Sequence, residues 1–166
     1  MARQMYTGSL MQLFSPTDNA PEPLLVAREL VKRWFAEDLT KRPVFCSPAS
    51  VREFLCLHFH HLEYETFTVL HLNAQHHLIE VEDIFRGTLT QTAVYPREIV
   101  KSALRHNAAA VIFCHNHPSG VCEPSQADRI LTQLLKSALA LVDVQVLDHF
   151  VVAGTTAFSF SEHGLL

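Results

Sequence analysis

At 166 residues the chain has the length of one domain with a single substantial hydrophobic core. Its composition, 48% hydrophobic and 18% charged, is ordinary for a globular protein, with no internal repeat or low-complexity segment. A net charge of -4 with histidine neutral leaves no global basic field to hold nucleic acid, although a local patch stays open.

Residues 1–20 are polar and irregular, with Ser15-Pro16-Thr17-Asp18-Asn19 as turn chemistry, and read as a loose tail. The start from Met1 to Tyr6 lacks the apolar core of a signal peptide, and the apolar run Ala108 to Cys114 is too short to cross a bilayer. A cytoplasmic protein with no membrane partner is expected. The four cysteines, Cys46, Cys56, Cys114 and Cys122, form no Cys-x-x-Cys pair and suit reduced thiols. Cys114 reads as a small core residue, and Cys122 as a loop thiol near the motif described below.

Leu24, Ala27, Leu30, Val31, Trp34 and Phe35 recur at helical spacing, giving an amphipathic helix that ends before Pro43. Its apolar face suits core packing or a homodimer contact. Ser47 and Pro48 mark a second helix, with Val51, Phe54, Leu55 and Phe59 as its buried stripe. Leu62 to Leu72 is rich in β-branched and aromatic residues, and Asn73-Ala74-Gln75 turns it into a partner strand over His77 to Val81. A short strand is expected over Gly87 to Val94. Pro96 opens a helix with Ile99, Val100, Ala103 and Leu104 on one face and Asn107 as its C-cap. Ala108 to Cys114 then reads as a central strand buried on both faces. A helix from Ser125 to about Ala140 and strands over Val144 to Val152 and Phe158 to Phe160 complete an α/β (α+β) pattern, a mixed β-sheet flanked by helices.

The chemistry concentrates after the central strand. His115 and His117 stand two apart at its end, where alternate side chains share a face and two imidazoles can hold one ion. Asp128 follows in the first turn of the next helix, facing back toward the strand end. Two imidazoles and one carboxylate form a three-ligand zinc set of the kind that keeps a fourth position for water. Taken singly these residues have plainer readings. Ser125-x-x-Asp128 is close to a capping box, and both histidines could simply end a buried strand. A general base is also needed, and Glu63, Glu65, Glu80, Glu82 and Glu98 are the upstream carboxylates. Glu65 shares strand parity with Phe67 and Val69, whereas Glu98 suits a helix N-terminus. His58, His60, His61, His71, His76 and His77 lack regular ligand spacing, and Asp148-His149 is a polar pair at a strand centre without an assigned role.

His-x-His, seven residues, Ser, two residues, Asp is similar to the motif of the JAMM (MPN-plus) metalloproteases. Phe85-Arg86-Gly87-Thr88, Tyr95-Pro96-Arg97-Glu98, Asn107 to Ala110, Asp148-His149 and Ser159 to Gly164 resemble the RadC branch of that family. The resemblance covers roughly Arg42 to Leu166, which divides the chain into a tail and helix over 1–41 and an MPN/JAMM domain over 42–166. It implies a JAB1/MPN, cytidine-deaminase-like architecture and a single zinc ion on His115, His117 and Asp128. It further implies Glu65 as general base, through the Glu-x-Phe that opens the first strand, and Ser125 as stabiliser of the tetrahedral intermediate. Glu63 is the second choice for the base.

The implied activity is hydrolysis of a peptide or isopeptide amide in a protein or peptide substrate. The alternative is a DNA-repair-associated accessory or DNA-binding module, which the acidic balance does not support; residues 1–42 show no recognisable helix-hairpin-helix equivalent. A zinc nucleoside deaminase lacks its Pro-Cys-x-x-Cys here, since Cys114 and Cys122 are wrongly spaced. A catalytically inert interaction domain is not expected of a chain that keeps every ligand.

Overall fold

The computed structural model describes residues 44, 45, 47–60, 62–87 and 94–166. The tail, the helix expected from Leu24 to Phe35 with the apolar face read as core or dimer contact, and most of the strand expected over Gly87 to Val94 lie outside the described residues.

Ser47 caps the first described helix, α1 (Pro48–His58), by accepting from Ser50 N–H, and Pro48 occupies its first turn, where a missing N–H costs nothing. Two antiparallel strands follow, β1 (Thr66–Leu72) and β2 (Leu78–Arg86). Helix α2 (Pro96–Arg105) leads into β3 (Ala110–Asn116), and α3 (Gln126–Ala140) crosses over to β4 (Gln145–Ala153), from which β5 (Thr156–Ser159) returns. The sheet order is β2-β1-β3-β4-β5, and among the described strands only the β3/β4 pair is parallel. Parallel neighbours need a long crossover, and α3 supplies it.

Every residue of β1 and β3 is buried, because helices cover both faces of the sheet centre. On one face Val51, Leu55 and Phe59 pack with Leu70, Ile112 and Phe150. On the other, Ile99, Ala103, Leu135 and Leu139 pack with Val69, Val111 and Phe113. Among the described residues no helix is long and apolar enough to cross a membrane.

Several boundaries depart from the sequence expectation: the central strand is Ala110–Asn116 and the last Thr156–Ser159, each shifted by a residue or two, and three others have a visible cause. Strand β1 begins at Thr66 rather than Leu62, because the Asn116 side chain takes over pairing there: its Oδ1 accepts from Thr66 N–H at 2.8 Å and its Nδ2 donates to the Tyr64 carbonyl at 2.9 Å. Strand β2 runs on to Arg86; half exposed and rich in Glu80, Glu82 and Asp83, it shows no clean alternation but keeps its ladder to β1 through two irregularities. His106 caps α2, and Asn107 follows it at φ 49°, the left-handed conformation that asparagine tolerates.

A polar cluster seats α2 on β1 and β2. His71 Nε2 lies 2.9 Å from Ser102 Oγ, Ser102 and Arg105 both donate to Glu82, and His106 Nε2 lies 3.3 Å from Glu82 Oε2. Burial pushes the His71 imidazole from 6.5 down to about 4, with His106 adding to the effect and Glu82 opposing it. Burial would raise the Glu82 carboxyl, but hydrogen bonds from Ser102 and Arg105 outweigh it and hold the group at about 2. The folded state therefore binds fewer protons than the unfolded chain between pH 6.5 and 4 through His71, and again between 4.5 and 2 through Glu82, so stability falls as pH falls through both windows. At about 1.4 kcal/mol for each tenfold change in proton affinity, His71 accounts for up to roughly 3 kcal/mol. The urea midpoint should drop steadily below pH 6.5 and drop less steeply in a His71→Gln variant; equal slopes would remove His71 from the account.

Candidate metal centre

The end of β3 meets the start of α3 beside the start of β1. His115, the penultimate residue of β3, is 2% exposed and lies between Phe67 of β1 and Val151 of β4 in the sheet. Asn116 points to the opposite side, and His117 returns to the side of His115. The two Nε2 atoms stand 3.0 Å apart.

The loop after His117 closes as a turn, with Gly120 N–H donating to the His117 carbonyl at 3.1 Å. Gly120 takes φ +84°, a conformation that glycine alone adopts without strain. The chain then brings the Val121 carbonyl back to within 2.7 Å of His117 Nδ1. A carbonyl only accepts, so Nδ1 carries a proton and Nε2 is the nitrogen turned to the site.

Asp128 arrives from the first turn of α3. Ser125 and Asp128 form a complete capping box, in which Ser125 Oγ accepts from Asp128 N–H and Asp128 Oδ2 accepts from Ser125 N–H at 2.7 Å. The Ser125 hydroxyl lies 2.7 Å from that same Oδ2. Asp128 Oδ1 is 3.4 Å from His115 Nε2, and Oδ2 is 3.9 Å from His117 Nε2. Capping and ligand geometry thus coexist in one carboxylate.

Donors around a tetrahedral zinc with bonds of about 2.0–2.1 Å stand about 3.3 Å apart. The Nε2–Nε2 spacing of 3.0 Å and the 3.4 Å from His115 to Asp128 Oδ1 lie on either side of that value, the 3.9 Å approach to His117 is made by the capping oxygen Oδ2, and two borderline nitrogen donors with a carboxylate are a zinc-compatible chemistry. The residues present therefore fit the ion.

Glu65 sits just before β1, with its carboxylate within 4.8 Å of the ligand nitrogens of both histidines. Together with His117, Pro118 and Ser119 it lines an open cleft of about 370 Å³. Its backbone is tightly held: Gly87 N–H donates to its carbonyl at 2.8 Å, and Asn116 grips the residues on either side. The residue between the two histidines therefore fixes the backbone that carries Glu65. Glu63 is exposed, and Glu98 pairs with Lys101 at 2.9 Å in the first turn of α2. Cys122 is a half-buried free thiol that joins no ligand grouping among the described residues.

Residues to which the sequence assigned no role occupy the ground beneath the site. His149 of β4 is fully buried, with Nε2 at 2.9 Å from His115 Nδ1 and Nδ1 at 2.6 Å from Thr132 Oγ1. Phe160 stacks on it at 4.8 Å, and Phe67 and Phe113 meet it edge-on. Burial pushes His149 well down, helped by the neighbouring His115 and His117, and likewise brings His115 to about 4; Asp128 opposes this at His115 and His117 reinforces it. Asp148 points the other way, accepting from Ser161 N–H at 2.9 Å and holding the turn after β5. Alternation along an otherwise apolar strand was the one available signal that Asp148 and His149 serve different sides.

A mixed sheet carrying a His-x-His pair at a strand end and an aspartate in the following helix defines a JAB-type α/β domain. Residues 45–165 match the family described as RadC-like JAB domain, and the chain belongs to that family. Among similar proteins, a UPF0758 protein of Thiobacillus denitrificans is 59% identical over 143 residues, covering 86% of this chain and 64% of its own. One from Leptothrix cholodnii is 60% identical over 138 residues, covering 83% and 62%, and one from Variovorax paradoxus is 55% identical over 143, covering 86% and 64%. The chain thus spans less than two thirds of the length of these relatives.

Proposed function

We propose that the chain is a zinc-dependent hydrolase of peptide or isopeptide amides in a protein or peptide substrate. The observation that carries this reading is the convergence of His115, His117 and Asp128 beside an open cleft that Glu65 lines.

His115, His117 and Asp128 would hold the ion. What zinc supplies in such a site is Lewis acidity, toward a substrate carbonyl and toward water. Glu65, within 4.8 Å of the ligand nitrogens, would take a proton from water in the cleft and return one to the departing amide nitrogen. Its fixed backbone spares reorganisation at that moment. The Ser125 hydroxyl donates to Asp128 Oδ2 and so orients the carboxylate, a duty compatible with its cap. An oxyanion role for Ser125 requires that hydroxyl to turn toward substrate. The open cleft suits an extended chain entering from solvent, and the net charge of -4 lends no support to a nucleic-acid partner.

Elemental mass spectrometry of the purified chain, before and after zinc is supplied, tests the reading together with a peptide-amide turnover assay. Stoichiometric zinc, with turnover lost on chelation and restored by zinc, is expected. A chain that takes up no metal at all overturns it.

A further inference from the structure

Thr132 carries one hydroxyl proton but makes two short contacts: Oγ1 lies 2.6 Å from the Asp128 main-chain carbonyl and 2.6 Å from His149 Nδ1. A carbonyl oxygen has no proton to give, and two oxygens at that distance need one between them, so the hydroxyl donates to Asp128. This is the back-bond to the fourth preceding residue that threonine makes within helices. Thr132 Oγ1 can then only accept from His149, so Nδ1 of His149 bears the hydrogen. The His149 ring is fully buried, and its two nitrogens meet Thr132 and His115 with no carboxylate beside them among the described residues, so the ring is neutral and its Nε2 is bare. That nitrogen accepts from His115 Nδ1 at 2.9 Å, which leaves Nε2 of His115 as the nitrogen turned to the site.

We infer that Thr132 and His149 are positioning residues that set the tautomer of His115 through a one-way chain of hydrogen bonds running from His115 to the backbone of Asp128. The chain ties two ligands from different elements, one on β3 and one on α3, through a third element, β4. It also holds the imidazole ring at the angle its lone pair needs. Ligand histidines ordinarily give their second N–H to a carboxylate, carbonyl or water. Here a second imidazole takes that place, walled in by Phe67, Phe113 and Phe160.

Proton placement also separates this site from the second convergence of ligand-type side chains, His71, Glu82 and His106. His71 Nδ1 has no acceptor among the described residues, so the neutral ring keeps its proton on Nε2 and spends it on Ser102, which donates onward to Glu82. No lone pair is left facing that cluster from His71. It is a closed network that seats α2, whereas the His115 chain leaves Nε2 turned to the site.

The purpose of the hydrogen-bond chain rests on the proposed function and its direction rests on geometry, so the tests divide accordingly. In the metal-free, unaltered chain, the ¹⁵N shifts of the ring nitrogens should show a protonated Nδ1 in both His115 and His149 and a bare Nε2 in His149. A proton on Nε2 of His149, or none on Nδ1 of His115, overturns the inference. Zinc affinity, measured by competition with a chromophoric chelator, should weaken by about 10–100-fold in His149→Leu, a loss typical of an outer-shell partner. His149→Gln should recover much of it, since the amide oxygen can accept from His115 and the amide nitrogen can donate to Thr132. Thr132→Val should loosen zinc to a lesser degree by freeing the His149 tautomer. Unchanged affinity in His149→Leu, in a chain whose metal-free melting curve shows it folded, overturns the inference as well. If the parent takes up no zinc, the functional reading fails separately, and the ¹⁵N shifts still decide the tautomers.

Discussion

Asp128→Asn should strip zinc from the purified chain and leave the domain folded. An amide is a far weaker ligand than a carboxylate for a dication, yet the asparagine oxygen can still accept from Ser125 N–H, so most of the reciprocal cap survives. Asp128→Ala removes both functions at once and should add about 1 kcal/mol of destabilisation through the lost cap. Comparing metal content with the unfolding midpoint of the metal-free protein in the two variants separates ligand from cap. If Asp128→Asn keeps stoichiometric zinc, Asp128 is a capping residue only and the three-ligand centre is lost as an explanation.

Glu65→Gln should lower amide turnover by about 10²–10⁴-fold with zinc still bound, the range expected for loss of a positioned general base. The substitution keeps the shape of the side chain and removes only its capacity to carry a proton. Because Asn116 and Gly87 hold the backbone around Glu65, the variant should not drift from the cleft. Glu63→Gln is the matched control, since Glu63 is exposed and should leave turnover unchanged. Full turnover in Glu65→Gln with loss in Glu63→Gln would move the base to Glu63. A third outcome, zinc lost from Glu65→Gln, would make Glu65 a ligand rather than a base.

Much of the site was legible because its residues lie close in sequence or obey a strict period. His115 and His117 share a side because strand side chains alternate, and Ser125 and Asp128 meet because three residues make nearly one helical turn. In the sequence the capping box and the ligand set look like rivals. The two readings are compatible because a carboxylate has two oxygens: Oδ2 serves the cap and Oδ1 turns toward His115.

Other features had no local signature. An asparagine between two histidines reads as filler, yet Asn116 shortens β1 and fixes the segment that carries Glu65, about fifty residues upstream. Strand β2 was legible only to Val81 because its exposed, acidic residues break the alternation that marks a half-buried strand. Its length to Arg86 follows from pairing with the buried β1.

From the amino-acid order alone came the class of fold, the succession of helices and strands over the well-patterned segments, and the residues proposed to hold a metal. These are properties of spacing, and spacing is written in the chain. The tertiary structure alone decided what lies beneath that centre. His149, Thr132 and Asp128 become neighbours only when α3 carries the chain from β3 to β4 and lays the two strands side by side. Whether His115 presents a lone pair or a proton then depends on which of those neighbours can give a hydrogen and which can only receive one.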